Sequence, residues 1–274
     1  MSLLARAFLY LLVALPPAAQ SQEFEKIAIR PAGSADPRSM RMQILPTGDL
    51  IAHAVPVIAL LSYAYDLPID PSSRLSRLPD WTIRERYDIE GKAVANAIDP
   101  KLRGSDSRSR NQQEIRGLLA HRFRLAMRVE NRRMSVYFLI VARGGPKLQL
   151  SPVTGKNCTF DTDPEGCHNF VPGFGHPLNA RAINMEDLAH YIANWTDLPV
   201  VNRTSLKGLF TVHTEGWFPM RLPPPPPDAP PGVNRFARLP TIFMVLGKLG
   251  LELNRHEDTL PVYTVEHIEH PVIN

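Results

Sequence analysis

Beyond its first fifteen residues the chain contains no apolar run that approaches the roughly 20 residues a membrane-spanning helix requires, so a helical span after that point is excluded. The patterns that mark common catalytic sites are missing as well. There is no Gly-x-Ser-x-Gly nucleophile elbow, no His-Glu-x-x-His metal pair and no Gly-x4-Gly-Lys phosphate loop. Gly173-Phe174-Gly175 follows Pro172 and has neither the third glycine nor the preceding strand of a dinucleotide site. Only two cysteines occur, Cys158 and Cys167. Near the end, His256, His267 and His270 sit in valine-rich, strand-like sequence, which puts His267 and His270 on opposite faces. No metal and no cofactor is expected from these residues.

What is present is a globular composition. Of 274 residues, 44% are hydrophobic and 21% charged, which fits one large or two small folded domains and neither a disordered nor a fibrous chain. The start, MSLLARAFLYLLVALPPAAQSQEF, reads as a signal peptide over residues 1–21: Arg6, an apolar run from Ala7 to Leu15, then Pro16-Pro17, with small Ala19 and Ser21 where a signal peptidase reads. An uncleaved anchor is the rival reading, and no cysteine follows to take a lipid. The chain is therefore expected to be exported, periplasmic or extracellular, with no transmembrane span after cleavage and no nucleic-acid partner despite an isoelectric point near 9.2. An oxidising compartment favours a disulfide between Cys158 and Cys167. Asp161, Asp163, Pro164 and Gly166 let the chain double back between them, and closing so short a loop is worth about 2 to 3 kcal/mol in the chain-entropy view. Zinc is the rival, since His168 and His176 follow, but Cys-x8-Cys-His-x7-His matches no common structural zinc spacing.

The chain also resembles itself. Leu50, Ala52, Ala54, Val55, Val57 and Leu60 recur as Leu178, Ala180, Ala182, Ile183, Met185 and Leu188, an offset of 128, and Ile115, Leu118, Phe123 and Leu125 recur as Phe243, Leu246, Leu251 and Leu253 at the same offset. Val57, Leu60, Leu61 and Ala64 lie at helical spacing behind Pro56; Met185, Leu188, Ala189 and Ile192 repeat the pattern. Each helix precedes a strand, a short helix centred on Leu118-Leu119 or Val245-Leu246, and a β-hairpin turning near Asn131 or near Glu257-Asp258. The expected class is α+β: two similar units of helix, strand, helix and β-hairpin, antiparallel sheets covered by helices. Residues 22–150 form the first unit, 151–177 the disulfide loop connection and 178–274 the second unit, interrupted by an extended proline-rich loop at 222–231.

Four blocks together, FEKIAIRP, LPDWTIRERYDIEGKA (78–93), LLAHRFRLAMRVENRRMSVYFLIVARGGPKL (118–148) and DLPVVNRTSLKGLFTVHTEGW (197–217), resemble a large acidobacterial, Solibacter-type paralogous family of exported proteins carrying a domain of unknown function. The resemblance covers nearly the whole mature chain and supplies no catalytic residues. It implies sensing or binding rather than turnover, because related domains occur fused behind antibiotic-sensor-type membrane peptidases. The alternation of helix and short strands is also similar, in architecture only, to the N-terminal modules of secretins and outer-membrane receptors. Where that family reads Asp-Arg/Lys-Thr-Gly-Leu-x-Gly, this chain has Asn202-Arg203-Thr204-Ser205-Leu206-Lys207-Gly208. The change undermines a metal or acid-base site there and is harmless to an Asx-type turn.

Two sets of residues are candidates for function. Between Lys101 and Arg133 ten basic residues face three acidic ones, a local net of +7. Within that stretch Arg122, Arg124 and Arg128 alternate with Phe123, Leu125, Met127 and Val129, which on a strand points the arginines away from the core. Such a face suits a soluble sheet surface, or a landing site for an anionic envelope component or envelope protein. Trp81, with Trp217 the large aromatic of a connection, could stack on a ligand or close a core. The second set is Asp88 and Glu90, two apart on a strand and so on one face, as paired carboxylates of acid-base chemistry would be. The expected function is an exported, non-catalytic binding or sensing module of the cell envelope; a hydrolase or lyase acting on envelope polymers is the alternative.

Overall fold

The computed structural model describes residues 24–33, 39–45, 47–68, 73–94, 105–153, 167–221 and 234–273. Residues 1–21, expected to be a signal peptide, Cys158 and the proline run 222–231 lie outside the described residues.

Two long strands organise the molecule. β6 (Ala126–Val141) and β11 (Leu251–His267) pair antiparallel along almost their whole length, from Leu251 opposite Val141 to His267 opposite Ala126. The expected hairpins are therefore not made. Asn131 sits opposite Pro261 and Glu257 opposite Ser135, in mid-strand, and neither region adopts the positive φ that a tight turn would need. Nothing at Asn131-Arg132-Arg133 supplies glycine for such a turn, so the alternating pattern simply continues as one strand.

Each end of this ribbon carries a core. At one end, Tyr263 and Val265 of β11, with Leu125 and Met127 half-buried beside them, join helices α1 (Val57–Ala64) and α3 (Ser105–Arg122). These pack on strands β1 (Lys26–Pro31), β5 (Arg86–Lys92), β3 (Leu50–Pro56) and β2 (Arg41–Ile44), an antiparallel sheet in the order β1-β5-β3-β2. The other core gathers Leu139 of β6 and Leu251 and Leu253 of β11 against α4 (Met185–Ala193), α5 (Ile242–Lys248) and the strands β8 (Ala180–Ile183) and β10 (Phe210–Val212). β10 lies between β8 and the short β7 (Gln149–Leu150).

Two short strands complete the ribbon sheet, in the order β4-β11-β6-β9. β4 (Leu75–Ser76) runs parallel to β11 at Tyr263 and Thr264, and β9 (Val200–Asn202) runs parallel to β6 from Tyr137 to Leu139. A strand from the first half of the sequence thus edges the last strand of the second, and the reverse. The architecture is α+β, with antiparallel-rich sheets and helices over them, as expected.

The helices form where periodicity places them. Val57, Leu60, Leu61 and Ala64 are buried on α1, which begins at extended Pro56 with no side-chain cap. Met185, Leu188, Ala189 and Ile192 are buried on α4, which begins at Asn184 with a capping box: Asn184 accepts from the Asp187 N–H and Asp187 accepts from the Asn184 N–H. Helix α3 is longer than its apolar pattern suggests and runs on to Arg122. It stops where Leu125 N–H folds back to the Leu119 carbonyl with Arg124 left-handed at φ 50°. Glycine commonly marks such a stop, and here none does.

Candidate functional site

That helix end relocates the arginines. Arg122 is the last residue of α3 and Arg124 lies in the turn after it; of the three only Arg128 is on a strand. Their expected alternation along one strand face does not occur, because the strand begins at Ala126. Phe123 is buried as expected, whereas Leu125 and Met127 are half-buried and Val129 is exposed.

The arginines nonetheless lie along one line, traced by the C-terminal segment. Arg128 pairs with Glu266 (3.5 Å) and with Glu130. Arg124 pairs with Glu269 at 3.2 Å, and the Glu269 N–H donates to the Phe123 carbonyl at 2.8 Å. His270 stacks on Trp81, centroids 4.1 Å apart and planes 24° off parallel, and contacts Glu85 through Nε2 at 3.1 Å. Arg122 donates to the Val272 carbonyl (3.2 Å) and to the Ile27 carbonyl (3.4 Å). Glu85 is held below the usual carboxylate range by the Tyr87 hydroxyl it accepts from and, after that, by His270. Trp81 opens a one-turn helix, α2 (Trp81–Arg84), and its ring packs against the first core.

Next to Arg122 an open cleft of about 780 Å³ lies at the end of the β1-β5-β3 sheet. Its wall carries both signs of charge: Lys26, Lys92 and Arg122 against Glu25, Asp49 and Glu90. Lys92 hydrogen-bonds Asp49 at 2.8 Å and lowers its carboxyl pKa.

Asp88 and Glu90 do share the outer face of β5, but each is otherwise engaged. Asp88 accepts the Ala54 N–H at 2.9 Å, at a bulge where Ala54 takes φ 49°, and contacts His53 at 2.9 Å. Its carboxylate fixes the bulge. Glu90 pairs with Arg30 at 3.3 Å, and of the two carboxylates only Glu90 lines the cleft.

In the second half, Trp217 is fully buried in the core and donates from Nε1 to the His176 carbonyl. Of the two tryptophans that could stack on a ligand, this one is a core residue. Cys167 is buried, and His168 beside it contacts Asp187 at 2.5 Å with both side chains nearly inaccessible. The Asn202 side chain accepts from the Thr204 N–H (3.0 Å) and hydroxyl (2.8 Å). This is an Asx-type turn, and an acceptor oxygen is all it demands of that position. Among the described residues no group of three or more His, Cys, Asp or Glu could hold a metal ion, and no helix is long and apolar enough to cross a membrane.

Sequence reasoning did not connect the tail with the arginines. A signal for it was available: Glu266 and Glu269 are the acidic complement of the arginine stretch, but they lie more than 130 residues downstream and only the β6–β11 pairing brings them together.

The fold and surface define a class: an α+β protein with two helix-covered cores on one ribbon and a basic strip under its own acidic tail. The chain belongs to the family described as "Protein of unknown function (DUF3738)", whose model matches residues 58–268, from the first turn of α1 to just past β11. Glu269, His270 and Val272 lie just beyond that segment. No curated protein and no solved structure matches the chain significantly.

Proposed function

We propose that the protein is an exported, non-catalytic binding or sensing module of the cell envelope that docks an anionic envelope component on the strip formed by Arg122, Arg124, Arg128 and Trp81. The observation that carries this reading is their convergence: four residues from α2, the end of α3, the turn after it and β6 meet one segment, Glu266 to Val272, whose span is about 20 Å at full extension. The signal peptide over residues 1–21 belongs to the same reading, as does membership in the exported acidobacterial group. A Cys158–Cys167 disulfide is part of it too, supported by the finding that no cysteine among the described residues is free. We read the two halves as copies of one unit, supported by the offset of 128 and by the reciprocal edge pairing of β4 and β9. The hydrolase or lyase alternative has no comparable support, because Asp88 is committed to its bulge.

Docking is tested by co-sedimentation with anionic vesicles or envelope polymers across a salt series. Binding should weaken steeply with salt, since exposed charges are screened over about 8 Å at physiological ionic strength. Arg122 also bonds two backbone carbonyls, so Arg124→Gln/Arg128→Gln is the cleaner variant: it should abolish binding and cost no more than about 1 kcal/mol of stability. Unaltered binding by that variant would place the surface elsewhere.

A further inference from the structure

We infer that the C-terminal segment from Glu266 to Ile273 is an intramolecular occupant of the arginine strip, and that the strip's external partner is an acidic, extended peptide segment of another envelope protein, which displaces this tail. The inference rests on the docking reading above and adds what the surface takes and what holds it closed.

The argument is one of correspondence. Each residue of the strip is met by one tail group in register: Arg128 by Glu266, Arg124 by Glu269, the Trp81 ring by His270 and Arg122 by the Val272 carbonyl. Two of these contacts are carboxylate to guanidinium, one is ring to ring and one is main-chain carbonyl to guanidinium. A backbone bond, Glu269 N–H to the Phe123 carbonyl, fixes the tail's register. An extended peptide with carboxylates three residues apart and an aromatic or imidazole ring following the second would supply the same set. A phosphate headgroup would satisfy the arginines, but it offers nothing flat for Trp81 and no N–H for Phe123.

The contacts are also of a kind that can be exchanged. The Arg124–Glu269 and Arg128–Glu266 side chains are at least half exposed, and exposed pairs are individually weak. Ordered pairing in β11 ends at His267, so the residues after it are held by side-chain contacts, including Ile268 on the first core, and by the Glu269 N–H bond to the Phe123 carbonyl. Beyond Pro271, which is buried, Val272 and Ile273 project into solvent. As a tethered competitor, the tail acts at an effective concentration on the order of millimolar.

The test compares the full chain with a chain ending at Ile268, which keeps all of β11 and the Arg128–Glu266 pair but loses Glu269, His270 and Val272, and with full-length Glu266→Gln/Glu269→Gln, which keeps the tail but not its charges. The second variant covers failure of the truncated chain to fold. The probe is a fluorescently labelled peptide, YTVEHIEHPVIN, with vesicles of phosphatidylglycerol in phosphatidylcholine run in parallel. Both variants should bind the peptide about tenfold or more tightly than the full chain does. Binding should weaken with salt and be lost when Arg124→Gln/Arg128→Gln is added. Peptide affinity unchanged in both variants overturns the inference; if the full chain still binds vesicles through its arginines, the docking reading survives alone. A gain for vesicles without a gain for peptide also overturns it, making the partner a lipid headgroup. No binding of either probe by any form sinks both.

Discussion

The two cores share one ribbon and bury matching positions, yet they are closed by different means. Leu50, Val57 and Leu60 in the first and Leu178, Met185 and Leu188 in the second are all buried. Around the second core the closure is internal: a capping box on α4, the buried His168–Asp187 contact, and Trp217 bonded to the His176 carbonyl. The first core starts α1 at an uncapped Pro56; its own polar contacts are the buried Arg110–Glu114 pair of α3 and the Arg116 bond to the Ala64 carbonyl, with Asp88 holding the bulge at Ala54 and the tail lying over Trp81 and the arginines. The apolar positions at the offset of 128 are buried alike at these sites, while the polar contacts around them differ. The half that carries the arginine strip is the one over which the tail lies in largely exposed contacts.

The comparison breaks most visibly in the cores. Trp217→Ala should cost about 3–5 kcal/mol and Leu60→Ala about 2–5 kcal/mol, read by chemical denaturation. Because β6 and β11 contribute to both cores, either variant should shift one cooperative transition. Two separated transitions would mean that the ends of the ribbon unfold independently.

Asp187→Ala should be nearly as damaging. It removes one half of the α4 capping box, the acceptor of the Asn184 N–H, and leaves His168 buried without this carboxylate, a loss of about 3 kcal/mol or more. A cost below about 1 kcal/mol would show the second core's polar closure to be dispensable.

In the first half, Asp88→Ala should cost about 1–3 kcal/mol, since it strips the Ala54 N–H of its acceptor. Glu90→Ala, which breaks only an exposed pair with Arg30, should change stability by no more than about 0.5 kcal/mol. Equal effects from the two would remove the structural role assigned to Asp88.

The smallest effect is a pH dependence confined to the second half. His176 stacks on Trp195 at 3.6 Å, and burial first, then Arg235, pushes its pKa below the ordinary imidazole value. As pH falls, the unfolded chain takes up this proton before the folded one. The contribution is therefore fully present above a pH of about 6.5 and is lost as pH falls through the folded value. His176→Gln should flatten the fall in Tm between about pH 7 and about pH 5. An unchanged slope would assign the acid sensitivity to other groups.

Legibility tracks the range of the interactions concerned. Helices α1 and α4, strand β5 and the apolar positions at the offset of 128 are readable because burial imposes a local period; even so, Ile115 is buried while Phe243, 128 residues on, is exposed. The end of α5 is marked by Gly250 at φ 69°, where an added Cβ would lie 2.1 Å from the Gly145 carbonyl oxygen. The left-handed stop after α3 is Arg124, a residue type that gives no such warning, and alternation alone therefore misplaces the arginines onto a strand. At Asn202 the sequence admits an Asx turn among two readings, and the hydrogen bonds to Thr204 choose it.

By itself the sequence determined the class of the fold, the buried faces of its helices and the positive charge of residues 101–133, because each of these is written in near neighbours. Only the tertiary structure decided that the expected hairpins are single strands spanning two cores, and that Glu266, Glu269 and His270 settle on the very residues nominated for binding. Both depend on strand pairing across more than a hundred residues, where register is set by which cores the two strands must jointly cover and not by any pattern within either strand.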